Sequence, residues 1–133
     1  MSVFKDLADF HIKYGVPRYT PNPTTLDFEI QDFRRKFLQE ELDEYDEAIA
    51  RDDLPEQIDA LLDLVYIAVG TLDIMGVNSQ RHWNEIQRAN MSKERAKHAS
   101  QSKRGSSLDV IKPEGWVGPD HISILEGYDD IPL

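Results

Sequence analysis

With 133 residues, 40% of them hydrophobic and none of them cysteine, the chain can build one domain core but no disulfide, thiolate metal site or cysteine nucleophile. Its net charge of −10 is uneven: residues 1–80 carry 17 acids against 7 bases, and residues 81–112 carry 8 bases against 3 acids. The acidic part repels nucleic-acid phosphates, so a nucleic-acid partner is not expected, whereas the basic part suits an anionic ligand.

Ser2 is placed to cap a first helix over about 3–14, ended by Gly15. Residues 15–25, with three prolines and a glycine, form a connection. Thr24 or Thr25 is then placed to cap a long helix to about Arg51, in which Phe33, Phe37, Leu38, Leu42, Tyr45 and Ile49 recur at helical steps. After a short turn at 52–54, Pro55 suits the start of a third helix, which Gly76 ends near Met75. Ser79 opens a fourth helix to about Ala99. Residues 100–107 read as a flexible basic loop, and residues 108–133 as an extended tail rich in proline and glycine. The expected fold is all-α, one domain over 1–133: a four-helix antiparallel core completed by oligomerisation, with an extended C-terminal tail. The longest apolar stretch, 60–75, is too short for a membrane span and contains Asp63 and Asp73. No basic-then-apolar leader is visible, so no membrane partner is expected and the cytoplasm is the expected location.

The chemistry concentrates in two helices. Six of the eight residues from Glu40 to Glu47 are acids. Acid runs are usually solvated faces. Here, at about 100° per residue, Glu41 falls on the edge of the apolar stripe and Glu44 lies beside Phe37 and Ala48. Asp43 and Asp46 point towards water. The third helix is apolar nearly all round, which predicts burial on most sides, yet it carries Asp59 and Asp63 one turn apart, with Glu56 a turn earlier. Few Lys or Arg residues are placed to neutralise these acids. A buried acidic cluster without basic partners calls for cations, and oxygen-only ligands favour Mg²⁺ or Mn²⁺ over zinc. Helices joined by a short turn pack antiparallel, so the pair Glu41 and Glu44 can face the pair Asp59 and Asp63. On the fourth helix Asn90 and Lys93 share a face, and Lys112 sits in a Pro/Gly frame with Trp116. All three are candidate phosphate contacts. His11, His82, His98 and His121 have no metal-ligand spacing and read as structural or solvated.

These residues resemble the all-α nucleoside triphosphate pyrophosphohydrolases, the superfamily of MazG, of phosphoribosyl-ATP pyrophosphohydrolase and of small phage-type relatives, MazZ-like ones among them. The matching stretches are FHIKYGVP (10–17), EELDE (40–44), DALLDLVYIAVGTLDIMG (59–76), RANMSK (88–93) and IKPEGW (111–116). Glu41 and Glu44 match the family's E-x-x-E. The second motif, E-x-x-D, departs: Asp63 takes its Asp position, Ala60 occupies its Glu position, and Asp59 is the neighbouring acid. Reading Glu56 and Asp59 as that motif is the alternative alignment. The resemblance implies a dimer or tetramer, Mg²⁺ dependence, and release of a nucleoside monophosphate plus pyrophosphate, in the host cytoplasm if the chain is phage-encoded.

The leading expectation is therefore a (d)NTP pyrophosphohydrolase. Glu41, Glu44, Asp59 and Asp63 would hold metal, and Glu40 with Glu41 would serve the attacking water. Asn90, Lys93 and Lys112 would meet the phosphates of a substrate such as dGTP. Phosphoribosyl-ATP of histidine synthesis is the alternative substrate. A catalytically silent helical interaction module is the competitor from another class, and it predicts that arginines tie up the buried acids.

Overall fold

The computed structural model describes residues 2–127, so the end of the expected tail, 128–133 with Pro132, lies outside the described residues. It is mostly helical, and the all-α expectation holds. The order is α1 (Val3–Lys13), α2 (Phe28–Ala50), α3 (Leu54–Ile74), α4 (Ser79–Met91), β1 (Glu94–Arg95), a 3₁₀ turn (Ala99–Gln101), β2 (Val110–Ile111) and α5 (His121–Glu126). The chain divides into two compact units, one up to Ser79 and one from Gln80 onward. Among the described residues no helix is long and apolar enough to cross a membrane.

In the first unit α2 and α3 form an antiparallel hairpin, and α1 packs on α3. Ser2 caps α1 as expected, its hydroxyl accepting from the Lys5 amide. The cap of α2 is Asp27 rather than Thr24 or Thr25. The threonines belong to a connection that is bound elsewhere: the Thr24 amide donates to the Met75 carbonyl, the Tyr19 amide to that of Ile74, and Leu26 is buried. Gly76, at φ +78°, makes this close approach possible, because a Cβ there would stand 2.7 Å from the Tyr19 carbonyl carbon. Asp53 caps α3, with Pro55 in its first turn.

The core of this unit is built on Leu7, Ala48, Ala60, Ile67, Val69 and Ile74. It is narrower than the sequence predicts. The apolar α3 was expected to be buried on most sides, yet Leu54, Ile58, Leu61, Leu62 and Val65 remain exposed. One hairpin partner and one short helix cannot cover a helix that is greasy all round.

In the second unit α4 ends at Met91, eight residues before the expected end. The Ala89 carbonyl, which would accept from residue 93 in a continuing helix, accepts instead from the Ser92 amide (3.2 Å), the Ser92 hydroxyl (2.7 Å) and the Trp116 indole N–H (2.8 Å). A serine hydroxyl offers the backbone an alternative to the next helical bond. The chain then extends, and β1 pairs antiparallel with β2, Glu94 opposite Ile111 and Arg95 opposite Val110. The loop expected to be flexible is folded: Ser102 is buried, and its hydroxyl donates to Asp109 (2.6 Å), which also accepts from Arg104 (2.7 Å). Nor is the tail wholly extended. Asp120 caps α5 by accepting from the Ser123 amide and hydroxyl.

Candidate functional site

The α2–α3 hairpin brings the predicted acids together. Glu41 is 7% exposed, and one of its oxygens, Oε2, is buried with no hydrogen-bond partner. Burial pushes its carboxyl up to about 7; a hydrogen bond to Glu44 and the charges of Glu44, Asp63 and Glu40 act in the same direction. Asp63 is raised likewise, first by burial and then by Asp59 and Glu44. Glu41, Glu44, Asp59 and Asp63 therefore interact as one group, with Glu40 at its edge. Glu44, expected to border the core, is exposed, and so is Asp59. Glu40 is exposed too and lines an open groove with Lys36, Gln39, Asp43, Glu44 and Glu47. Glu56, the alternative ligand, stands outside the set of charges that act on Asp63.

Among the described residues no three His, Asp or Glu side chains are gathered closely enough to hold a metal ion as they stand. The chemistry of the group nevertheless fits a divalent cation: its donors are carboxylate oxygens, and the Glu41 Oε2 is buried without a donor.

Glu41 and Asp63 also line a cavity of about 170 Å³ whose other walls are Leu7, Phe10, His11, Arg34, Phe37, Tyr66 and Ile67. Arg34 went unnoticed in the sequence, although it stands two turns before Glu41 on the same stripe of α2. Its Nε donates to the Thr71 hydroxyl (3.0 Å) and its guanidinium to the Ile67 carbonyl (2.9 Å). Burial lowers its pKa, and among the described residues no carboxylate is bonded to it. Gly70 makes room for this path, since a Cβ there would meet the guanidinium at 2.8 Å. His11, 2% exposed, is structural as expected. Its Nδ1 lies 2.6 Å from Asp73, whose other oxygen accepts from Arg18 at 2.7 Å. Asp73 is thus an acid that found basic partners, which the cluster acids did not.

The candidate phosphate contacts sit in the second unit. Asn90 is exposed near the end of α4. Lys93 does not share its helix face, because α4 has already ended. Lys93 and Lys112 meet instead at Trp116, their ammonium groups 5.3 and 5.0 Å from its ring centre. His82 and His121 face each other through their Nδ1 atoms at 2.8 Å.

No curated protein matches the chain in comparison. The family model described as "Phosphoribosyl-ATP pyrophosphohydrolase" matches residues 13–90, a span that holds the whole α2–α3 hairpin with its acids and ends at Asn90. That match covers more than half of the chain, and the protein belongs to the phosphoribosyl-ATP pyrophosphohydrolase family, whose activity is pyrophosphate-releasing hydrolysis of a nucleotide.

Proposed function

We propose that the chain hydrolyses a nucleoside or deoxynucleoside triphosphate to the monophosphate and pyrophosphate, with Mg²⁺ as cofactor and Mn²⁺ able to replace it. The observation that carries this reading is the Glu41 carboxyl, buried among further acids with one oxygen unpartnered. Such a group is costly to bury unless a cation or a proton joins it. An interaction module would have its acids tied by arginines, and Arg34, the arginine that lines the same cavity, is engaged by Thr71 and Ile67 instead.

Glu41, Glu44, Asp59 and Asp63 would hold the cation. When bound, a divalent cation neutralises charge on the phosphate chain and makes water more acidic. Glu40, exposed beside Glu41, would orient or deprotonate the water that attacks the α-phosphorus, and Glu41 would share that task. Asn90, Lys93 and Lys112 would meet the phosphates. The aromatic cavity with Arg34 and His11 suits a flat base bearing acceptor atoms. Guanine presents two such acceptors on one edge, which favours a substrate such as dGTP. The exposed apolar residues of α3 favour a homodimer or homotetramer. Phosphoribosyl-ATP is the second reading, supported by the description of the matched family.

A panel of NTPs, dNTPs and phosphoribosyl-ATP, assayed with Mg²⁺, separates the two substrates. Hydrolysis in ¹⁸O-labelled water should place the label on the nucleoside monophosphate. Label in the pyrophosphate would mean attack at the β-phosphorus. Orthophosphate and a diphosphate as first products would overturn the pyrophosphohydrolase reading.

A further inference from the structure

The second unit places two lysines together although their charges repel. β1 and β2 pair Glu94 with Ile111 and Arg95 with Val110, and the Ala96 amide donates to the Asp109 carbonyl one step further. Continued one residue the other way, the same register sets Lys93 opposite Lys112. Like charges on facing positions of a strand pair are destabilising. Arg88 pairs with Glu85 and Arg104 with Asp109, and neither lysine pairs with an acid among the described residues. Both are held instead by one indole, which attracts a cation through its ring quadrupole.

That indole is itself fixed at several points. Its N–H donates to the Ala89 carbonyl at 2.8 Å. Its backbone amide closes a turn onto the Pro113 carbonyl at 3.0 Å, with Gly115 at φ +76°. Gly118 lies against the ring edge, where a Cβ would stand 3.4 Å from it. The contact to Ala89 also helps to end α4, which releases Lys93 from the helix and lets it reach the ring. A rigid aromatic thus draws two unneutralised ammonium groups, 19 residues apart in sequence, to one place.

We infer that Trp116 is a positioning residue that holds Lys93 and Lys112 as a paired clamp for the pyrophosphoryl group, two adjacent phosphates that carry more than one negative charge. This deepens the proposed hydrolysis and rests on its assignment of the two lysines to phosphate. Trp116 acts through the lysines and touches no reacting atom. All three residues lie beyond residues 13–90, the span that matches the family model.

The test measures binding to the full chain by calorimetry without divalent cation, so that its outcome is independent of turnover. The probes are inorganic pyrophosphate and an α,β-methylene nucleoside triphosphate, which separate a site for the free product from one for the bound substrate. Lys93→Ala and Lys112→Ala should each weaken pyrophosphate binding by about tenfold, as loss of a charge-assisted contact does. Trp116→Leu should weaken it by about three- to tenfold, the size of a cation–π contact, whereas Trp116→Phe, which keeps a ring, should stay within about twofold. Trp116→Leu should add nothing in a chain that already lacks both lysines. Undiminished binding in a folded Trp116→Leu, or a further loss in that lysine-free background, would overturn the positioning role. If Trp116→Leu does not fold, the emission of Trp116 in a Trp83→Phe chain decides. Pyrophosphate bound to ammonium groups that stay over the ring should shift it by screening their charge, and no shift overturns the clamp. Normal pyrophosphate binding in a chain that hydrolyses no nucleotide would sink the proposed reaction and leave the clamp standing.

Discussion

The acids of the α2–α3 hairpin and those of the second unit live under opposite rules. In the second unit Glu85 is lowered by Arg88, Asp109 is held down to about 2 by Arg104 and Ser102, and Asp120 is lowered by Ser123. Each has donors a few residues away or across a turn. In the hairpin Glu41 is pushed up to about 7 and Asp63 is raised, because each is withdrawn from water and its neighbours are other acids. The first arrangement is what a chain does with a carboxylate that only has to be stable. The second forfeits stability at the same kind of group, and such sites tend to be functional. Asp73 makes the contrast sharper within the first unit, since there Arg18 pairs with the carboxylate and His11 lies within hydrogen-bond distance of its other oxygen.

Amide substitutions give the largest expected break in this comparison. Glu41→Gln and Asp63→Asn keep shape and remove charge. Each should lower turnover by about 100-fold or more, the scale seen when one preorganised electrostatic group is lost, while the helical circular dichroism is retained. Asp46→Asn, on the solvated face of α2, should leave turnover within about twofold. Equal losses in all three would mean that overall charge, not ligation, is being measured. Mg²⁺ gives the next largest effect. Cation held at about 100 times its dissociation constant stabilises the folded chain by about 2.7 kcal/mol, enough to raise Tm by roughly 5 °C or more at this size. The gain should be absent in Glu41→Gln. A melting temperature indifferent to millimolar Mg²⁺, with and without nucleotide, would remove most of the support for the cation.

How much of this was legible in the sequence follows from the range of the interactions. The hairpin was legible, because its turn, the proline that opens α3 and its apolar period are local, and so was the gathering of Glu41, Glu44, Asp59 and Asp63; the cap of α2 was not, since Asp27 takes the place expected of Thr24 or Thr25. Lys93 and Lys112 could be singled out, but not their meeting at Trp116, which depends on a strand register. The early end of α4 was not legible, since its helix signal runs on and what stops it includes an indole 27 residues away. The tie between His11 and Asp73 spans 62 residues. Arg34 had a local signal, a lone arginine on an apolar stripe, but its partners on α3 did not. The uncovered face of α3 was misjudged because apolar periodicity says which residues seek burial, not whether this chain can cover them.

The same comparison predicts opposite responses to pH. Glu41 sits at about 7 when folded, against an ordinary 4.5. Between those values the folded chain holds a proton that the unfolded chain has released, so stability falls as pH rises through that window. Thermal melts between pH 4.5 and 7.5 without divalent cation should show this fall, and Glu41→Gln should flatten it. Mg²⁺ should flatten it as well, by binding where the proton was. If the slope survives in Glu41→Gln, the raised group is not Glu41.

The smallest effect belongs to Asp109, where the sign reverses. Its folded value of about 2 lies below an ordinary 3.8, so between them the unfolded chain binds the proton that the folded chain refuses. The contribution of Asp109 to stability is therefore complete above about pH 4 and is lost as pH falls towards 2. Its partner Arg104 is largely exposed, so solvent and salt screen the pair. Asp109→Asn should accordingly lower Tm by only about 1–2 °C at pH 7, and the difference from the native chain should vanish near pH 2. Adding about 0.5 M salt should shrink the part that comes from Arg104 and leave the Ser102 hydrogen bond. Turnover should not change, because the acid is already satisfied. A drop in turnover comparable to that of Asp63→Asn would mean that an acid can be fully paired and still serve the chemistry, and the rule that separates the two regions would fail at its simplest case.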